Sequence, residues 1–169
     1  MAFVVEDGTG LVDSNSYVAV QEYRDYYTDR GIDKSSETDA QIEGYLVRST
    51  EFVDLVFEFS EDTLTTTQAL EFPRLIDEVD TLLPTRVVYA TIIMGNNLAT
   101  VSDPYTDANK NIQSKKEKVG PIETDISYAT GGDAKPSNPA VNYPSVIAYL
   151  KPYLDSTGLG YSQLRVTSG

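Results

Sequence analysis

The chain of 169 residues contains no cysteine, no histidine and no tryptophan, and only 13 Lys and Arg stand against 26 Asp and Glu. Without cysteine there is no disulfide, thiolate metal site or cysteine nucleophile. Without histidine the commonest metal ligand and the usual general base at neutral pH are both missing. Carboxylates remain, but acid-rich helices bring acids together by chance, and no spacing marks a nucleophile or a metal motif. An enzyme is therefore not expected, nor is a metal or cofactor. No run of about 18 apolar residues occurs, and Met1-Ala2-Phe3-Val4-Val5-Glu6 lacks the regions of a secretory signal. The expectation is a soluble protein with no membrane contact, made in the cytoplasm.

What is present is acid, and it is unevenly placed. Residues 1–80 hold 19 Asp/Glu and 5 Lys/Arg, a net charge of −14, whereas residues 81–169 hold 7 and 8, a net +1. An acidic front half repels a phosphate backbone, whose binding rests on clustered Lys and Arg. Such charge suits either the lumen of a ring through which duplex slides without being gripped or a plain solvated surface. Only 40% of residues are hydrophobic, and 12 Tyr outnumber 5 Phe, which places aromatic rings where the body is buried and the hydroxyl stays wet.

Phe3 to Val5 reads as a short strand or arm, followed by a glycine turn at Asp7-Gly8-Thr9-Gly10. The arm, with Phe3 and Val5, is either a clip onto a neighbouring subunit or an edge strand of its own fold. A first helix is predicted over 20–29, closed by Gly31, with Val20, Tyr23, Tyr26 and Tyr27 as its apolar stripe. Arg24 and Arg30 are candidates for pairing with nearby acids or an adjacent subunit. A second helix is predicted over 37–58, opened by a box-like Ser36-Glu37-Thr38-Asp39 and buried through Ile42, Leu46, Ser49, Val53 and Val56. Gly44 inside it marks either a close helix crossing or a tolerated surface site.

Residues 60–83 read as a linker in which proline holds Phe72-Pro73-Arg74 extended. Arg74 is an intersubunit ion-pair candidate or a surface arginine. A third helix starts at Pro84 and runs to about Thr100, apolar around much of its girth, with a kink plausible at Gly95-Asn96-Asn97. Two extended segments, 112–119 and 122–129, flank Gly120-Pro121 and carry the one basic cluster, Lys110, Lys115, Lys116 and Lys118. The lysines contact DNA or an acidic partner, or else guard an edge strand. A flexible connection covers 130–144, and a short helix follows from Pro144 to Leu150. The polar tail from Asp155 to Gly169 either stays disordered or folds on a partner.

The opening Glu6-Asp7-Gly8-Thr9-Gly10-Leu11, with Asp13 and Asn15-Ser16-Tyr17, resembles the start of a family of small tailed-phage proteins. In that family the start is followed by a helix ending as Asp29-Arg30-Gly31 does here, and Gln68-Ala69-Leu70-Glu71-Phe72-Pro73-Arg74, Leu83-Pro84 and Lys118-Val119-Gly120-Pro121-Ile122-Glu123 are three weaker echoes of it. Where Phe72 stands, that family usually carries Trp, and the resemblance implies that Phe72 plugs the core. These proteins look like head-to-tail adaptors, although members often bear a DnaT-like single-stranded-DNA-binding label. The resemblance implies a virion protein of the neck, a homo-oligomeric ring, dodecameric if it follows the family, bound beneath the portal. Its partners would be the portal protein, a tail or nozzle/stopper protein, and duplex DNA passing through the lumen without specific binding. Leu159, Tyr161, Leu164 and Val166 would then anchor the tail on the portal.

The expected fold is mainly α: a small helical bundle with a short β hairpin or extended segment and extended N- and C-terminal arms. Residues 1–15 form the arm, 16–154 the helical domain with a β-like insertion at about 110–130, and 155–169 the docking tail.

Overall fold

A computed structural model describes residues 2–76, 79–80, 83–105, 115–119, 122–126 and 139–155. It is mainly α, a small helical bundle. Helix α1 spans Val20–Thr28, α2 Asp39–Val56, α3 Thr85–Leu98 and α4 Pro144–Leu150. Two short antiparallel pairs accompany them, β1 (Leu75–Ile76) with β2 (Val79–Asp80) and β3 (Lys115–Val119) with β4 (Ile122–Ile126).

Local chemistry sets each helix boundary. Glu22 in the first turn of α1 reaches back so that its Oε2 accepts from the Ala19 amide at 2.9 Å, satisfying one of the donors a helix start leaves open. Gly31, at φ +72°, ends the turn; its N–H donates to the Thr28 carbonyl, and that of Ile32 to Tyr27. The capping box of α2 lies two residues later than the sequence suggested. Thr38 is the cap, accepting from the Gln41 amide at 3.3 Å, and Gln41 Oε1 accepts from the Thr38 amide at 2.9 Å. Helix α2 accordingly begins at Asp39 and ends at Val56, inside the expected 37–58. Pro84 precedes α3 with extended backbone and is its capping residue, one position before the expected role. The bounds expected for α4 are the observed ones.

The core lies among α1, α2, α3 and α4, with Tyr23, Ile42, Leu46, Phe52, Val87, Met94 and Leu150 almost fully removed from water. Glycine marks the closest helix approach, but at Gly95, not Gly44. A Cβ at Gly95 would lie 3.6 Å from Leu46 Cδ2 and 3.6 Å from Ser49 Oγ, whereas one at Gly44 would meet nothing within 4 Å. The tighter glycine therefore sits on α3, which continues through it as regular helix to Leu98. Ser49 and Thr91, both buried, return their hydroxyls to the Leu46 and Val87 carbonyls of their own helices, so neither strands a donor in the core.

The stretch after α2 is more than a linker. Phe72 is fully buried and meets Phe59, Tyr153 and Tyr17 edge-on at centroid distances of 4.8, 5.9 and 6.1 Å. Each such pair adds about 0.5–1.5 kcal/mol beyond area burial. The Phe72-Pro73 peptide is cis, and the β1–β2 pair that follows was not foreseen. After α4 the chain returns to the end of α2: Ser60 N–H donates to the Tyr153 carbonyl, and Asp155 N–H to that of Glu58.

Candidate functional site

The N-terminal motif folds upon itself. Gly8 and Gly10 at φ +93° and +80° turn the backbone so that its amides converge on Glu6. Glu6 Oε1 accepts from both glycine amides at 2.9 Å, and Oε2 from the Leu11 amide at 2.9 Å and Ser14 Oγ at 3.0 Å. The carboxylate is buried and its acceptors are used. A Cβ at Gly10 would come within 3.2 Å of both Gln68 Oε1 and Thr65 Oγ1, and Ala69 N–H donates to the Leu11 carbonyl. Two stretches of the family resemblance are thus packed against each other.

A second tie joins them. The Tyr17 hydroxyl donates to Asp54 Oδ1 on α2 and accepts from the Phe72 amide at 3.1 Å, while Asp54 Oδ2 accepts from the Glu71 amide at 3.2 Å. Burial raises the Asp54 carboxyl to about 7, against the two hydrogen bonds it accepts. Burial, with Asp54 beside it, likewise pushes the Tyr17 phenol well up.

A cleft of about 490 Å³ opens between α1 and α3 beside this N-terminal loop. Tyr26, Val88, Tyr89 and Ile92 line it, and Glu22, Asp25 and Asp29 stand at i, i+3 and i+7 along its α1 side, with Asp7 from the loop. All four of these acids are exposed. Arg30 lies in the same cleft. Its guanidinium carbon is 3.5 Å from the centroid of the Tyr26 ring and 5.6 Å from that of Tyr89, and Nη1 donates to the Tyr26 carbonyl at 2.7 Å. Burial foremost raises the Tyr26 phenol, so it remains neutral at physiological pH.

The residues singled out from sequence fall as follows. Phe3 is half-buried against the core, and Val5 bridges to Ser16 in parallel fashion, with Val4 and Asn15 exchanging further hydrogen bonds. Arg24 donates to the Lys34 and Glu37 carbonyls and pairs with Asp39 at 2.6 Å, fastening α1 to the start of α2. Arg74 is only 7% exposed; it donates to the carbonyls of Ser60, Glu61 and Glu71 and pairs with Glu71 Oε2 at 2.6 Å. Lys115, Lys116 and Lys118 lie on β3, paired with Ile126, Asp125 and Glu123 in register. Lys110, Leu159, Tyr161, Leu164 and Val166 lie outside the described residues.

Sequence reasoning missed Glu6, Asp54 and the cleft. The first had a signal, an acid immediately before alternating glycines; the second stood as a lone acid between Val53 and Leu55 of the apolar helix. The cleft had none, since its acids and its floor come from separate segments. Among the described residues no group of three or more His, Cys, Asp or Glu could hold a metal ion, and no helix is long and apolar enough to cross a membrane.

No curated protein and no solved structure matches the chain. A family provisionally described as DnaT-like ssDNA binding protein matches it over residues 1–167. With nearly the whole chain matched, it belongs to the DnaT-like ssDNA binding protein family.

Proposed function

We propose that this chain is a structural subunit of a tailed-phage neck, a head-to-tail adaptor that forms a ring under the portal and lets duplex DNA pass, without catalysis. The observation that carries this over a nucleic-acid-gripping role is the use made of the basic residues. All five Lys/Arg of residues 1–80 are spent inside the subunit. Arg24, Lys34 and Arg74 pair with Asp39, Glu37 and Glu71, Arg48 donates to the carbonyls of Val101 and Ser102, and Arg30 lies over the Tyr26 ring. The tyrosines of α1 that would stack on bases, Tyr23, Tyr26 and Tyr27, are buried instead. A strand-binding groove needs the opposite arrangement, open aromatics among free cations.

The second reading, a single-stranded-DNA-binding replication accessory, is favoured by the family's description and by the three lysines of β3. Titration of the purified protein against single- and double-stranded DNA separates the two. Weak binding to both, together with rings at the neck of imaged particles, supports the adaptor. Micromolar or tighter single-strand binding with a log–log salt slope of about −0.7 per phosphate neutralised refutes it. Deleting residues 156–169, which carry Leu159, Tyr161, Leu164 and Val166, should abolish attachment to portal-bearing capsids; normal attachment by the truncated chain would move docking elsewhere.

A further inference from the structure

Helix α2 buries one side and leaves the other open. Along the open side Ala40, Gly44, Val47 and Leu55 fall on one line, at i, i+4, i+7 and i+15, with Glu51 between them. At its N-terminal end Phe3, itself half-buried, stands beside Ala40, Gly44 and Val47 and makes with them a groove of about 370 Å³. At its C-terminal end Leu55 is 75% exposed, the most open of the large apolar side chains among the described residues. A glycine inside a helix weakens it, and a Cβ at Gly44 would meet nothing in its own subunit, so no contact among the described residues needs the space. An apolar surface rimmed by polar groups marks a contact.

The chain after α4 is aimed at this surface. Ser60 N–H donates to the Tyr153 carbonyl, Leu154 bridges Phe59 in antiparallel fashion, and Asp155 N–H donates to the Glu58 carbonyl, so successive residues step back along α2 toward Leu55. Fourteen residues, 156–169, come after Asp155. Extended, they reach roughly 46 Å, about twice the roughly 22 Å that separates Leu55 from Ala40 along the helix. At that spacing Tyr161 comes about 20 Å along, level with Gly44, which lies about 21 Å back from Glu58. The segment is too polar to fold alone, its apolar side chains are spaced at Leu159, Tyr161, Leu164 and Val166, and its one charged side chain is Arg165. The open side of α2 presents the complementary sign: Glu43, Glu51 and Glu58 stand there against Arg48, whose guanidinium turns to the carbonyls of Val101 and Ser102. We propose that residues 156–169 fold back on their own subunit along the open side of α2, with Tyr161 seated at Gly44 beside Phe3. This contact does not rest on the adaptor reading, in which the same side chains leave the groove for the portal.

A chain without cysteine allows a direct test. Ala40→Cys and Ser162→Cys in one full-length chain leave Gly44, Val47, Leu55 and the four apolar side chains of the tail in place. Disulfide formation is timed in dilute protein for this chain and for one that also carries Leu159→Ser, Tyr161→Ser, Leu164→Ser and Val166→Ser, with folding checked by circular dichroism. The two tethers have the same length, so the serine tail reports the rate of tethering alone. The expected result is a disulfide within the chain, formed about tenfold faster with the native tail than with the serine tail. Leu55→Ser on α2, or Glu43→Lys with Glu51→Lys and Glu58→Lys, should each remove most of that advantage. Equal rates for the two tails overturn the proposal, and so does an advantage that survives both changes to α2. Separate Ala40→Cys and Ser162→Cys chains, mixed at the same concentration, should crosslink far more slowly. A disulfide between copies as fast as the one within the chain would seat the tail on a neighbour and overturn the fold-back.

Discussion

Asp54 gives the sharpest prediction for stability. Its carboxyl has a folded value of about 7 against an ordinary 3.8, raised first by burial and also by nearby Glu71, and lowered by the Tyr17 hydroxyl, the Glu71 amide and Arg74. An acid whose value is raised on folding binds its proton more tightly in the native state. The native chain is therefore favoured most below the unfolded value and loses that advantage as pH rises toward 7. Above 7 both states are ionised and the slope vanishes. At about 1.4 kcal/mol per unit, a shift of roughly three units corresponds to on the order of 4 kcal/mol in all, of which about 3 kcal/mol is lost between about pH 5 and about pH 8. Asp54→Asn cannot titrate, and its amide oxygen can still accept from Tyr17. Urea unfolding followed by circular dichroism, for both proteins across that range, isolates this group from every other acid. The variant is expected to gain about 3 kcal/mol on the wild type from the acid to the alkaline end, whatever its absolute stability. Parallel stability curves would refute the reasoning and show that the hydrogen bonds hold Asp54 ionised throughout.

Glu6→Ala leaves three amides and a hydroxyl without their shared acceptor and should lower stability by about 2–4 kcal/mol in the same urea assay. Arg74→Lys keeps the charge but loses the fork that reaches the carbonyls of Phe59, Ser60, Glu61 and Glu71 and the Glu71 carboxylate, so a loss of about 2 kcal/mol is expected from thermal melting. Gly44→Ala, on an open face of α2, should raise stability by about 1 kcal/mol through helix propensity. At Gly95 the sign depends on size: alanine finds ordinary contact distances and is tolerated, whereas leucine overpacks the α2–α3 crossing and costs about 1–3 kcal/mol in denaturant midpoint.

Helices α1 and α2 were legible because each buries a periodic face, as the spacing of Ile42, Leu46, Ser49 and Val53 shows, and α3 because it is apolar around much of its girth. What periodicity does not carry was missed. The two-residue strands β1 and β2 are too short to show alternation, and the box at Thr38 was displaced because Asp39 imitated its acid. Gly44 and Gly95 look alike in sequence; only the approach of two helices tells them apart. Arg24 read as an ion-pairing residue and Arg74 as an intersubunit or surface cation; their backbone acceptors were missed because a carbonyl's availability is invisible until the loops around it are placed.

The N-terminal motif that carries the family resemblance bears on the family's DNA-binding description. Convergent amides in a glycine loop are the usual means of holding a phosphate, and the amides of Gly8, Gly10 and Leu11 do converge, but on Glu6 of the same chain. A phosphate could take that place only by expelling a buried carboxylate and breaking four hydrogen bonds, beside an exposed Asp7 that repels it. The loop is an anion site filled from within, and its partner is the 65–69 segment it packs on. Tyr17, at the end of the same motif, likewise spends its hydroxyl on Asp54 and Phe72. The residues of this motif therefore fasten the N-terminus to the bundle. Any DNA contact in this chain must be sought on other residues, and Lys115, Lys116 and Lys118 of β3 are the cations gathered on one described strand. If charge reversal there leaves single-strand affinity unchanged while Glu6→Ala abolishes it in a folded chain, the loop would be a binding site after all.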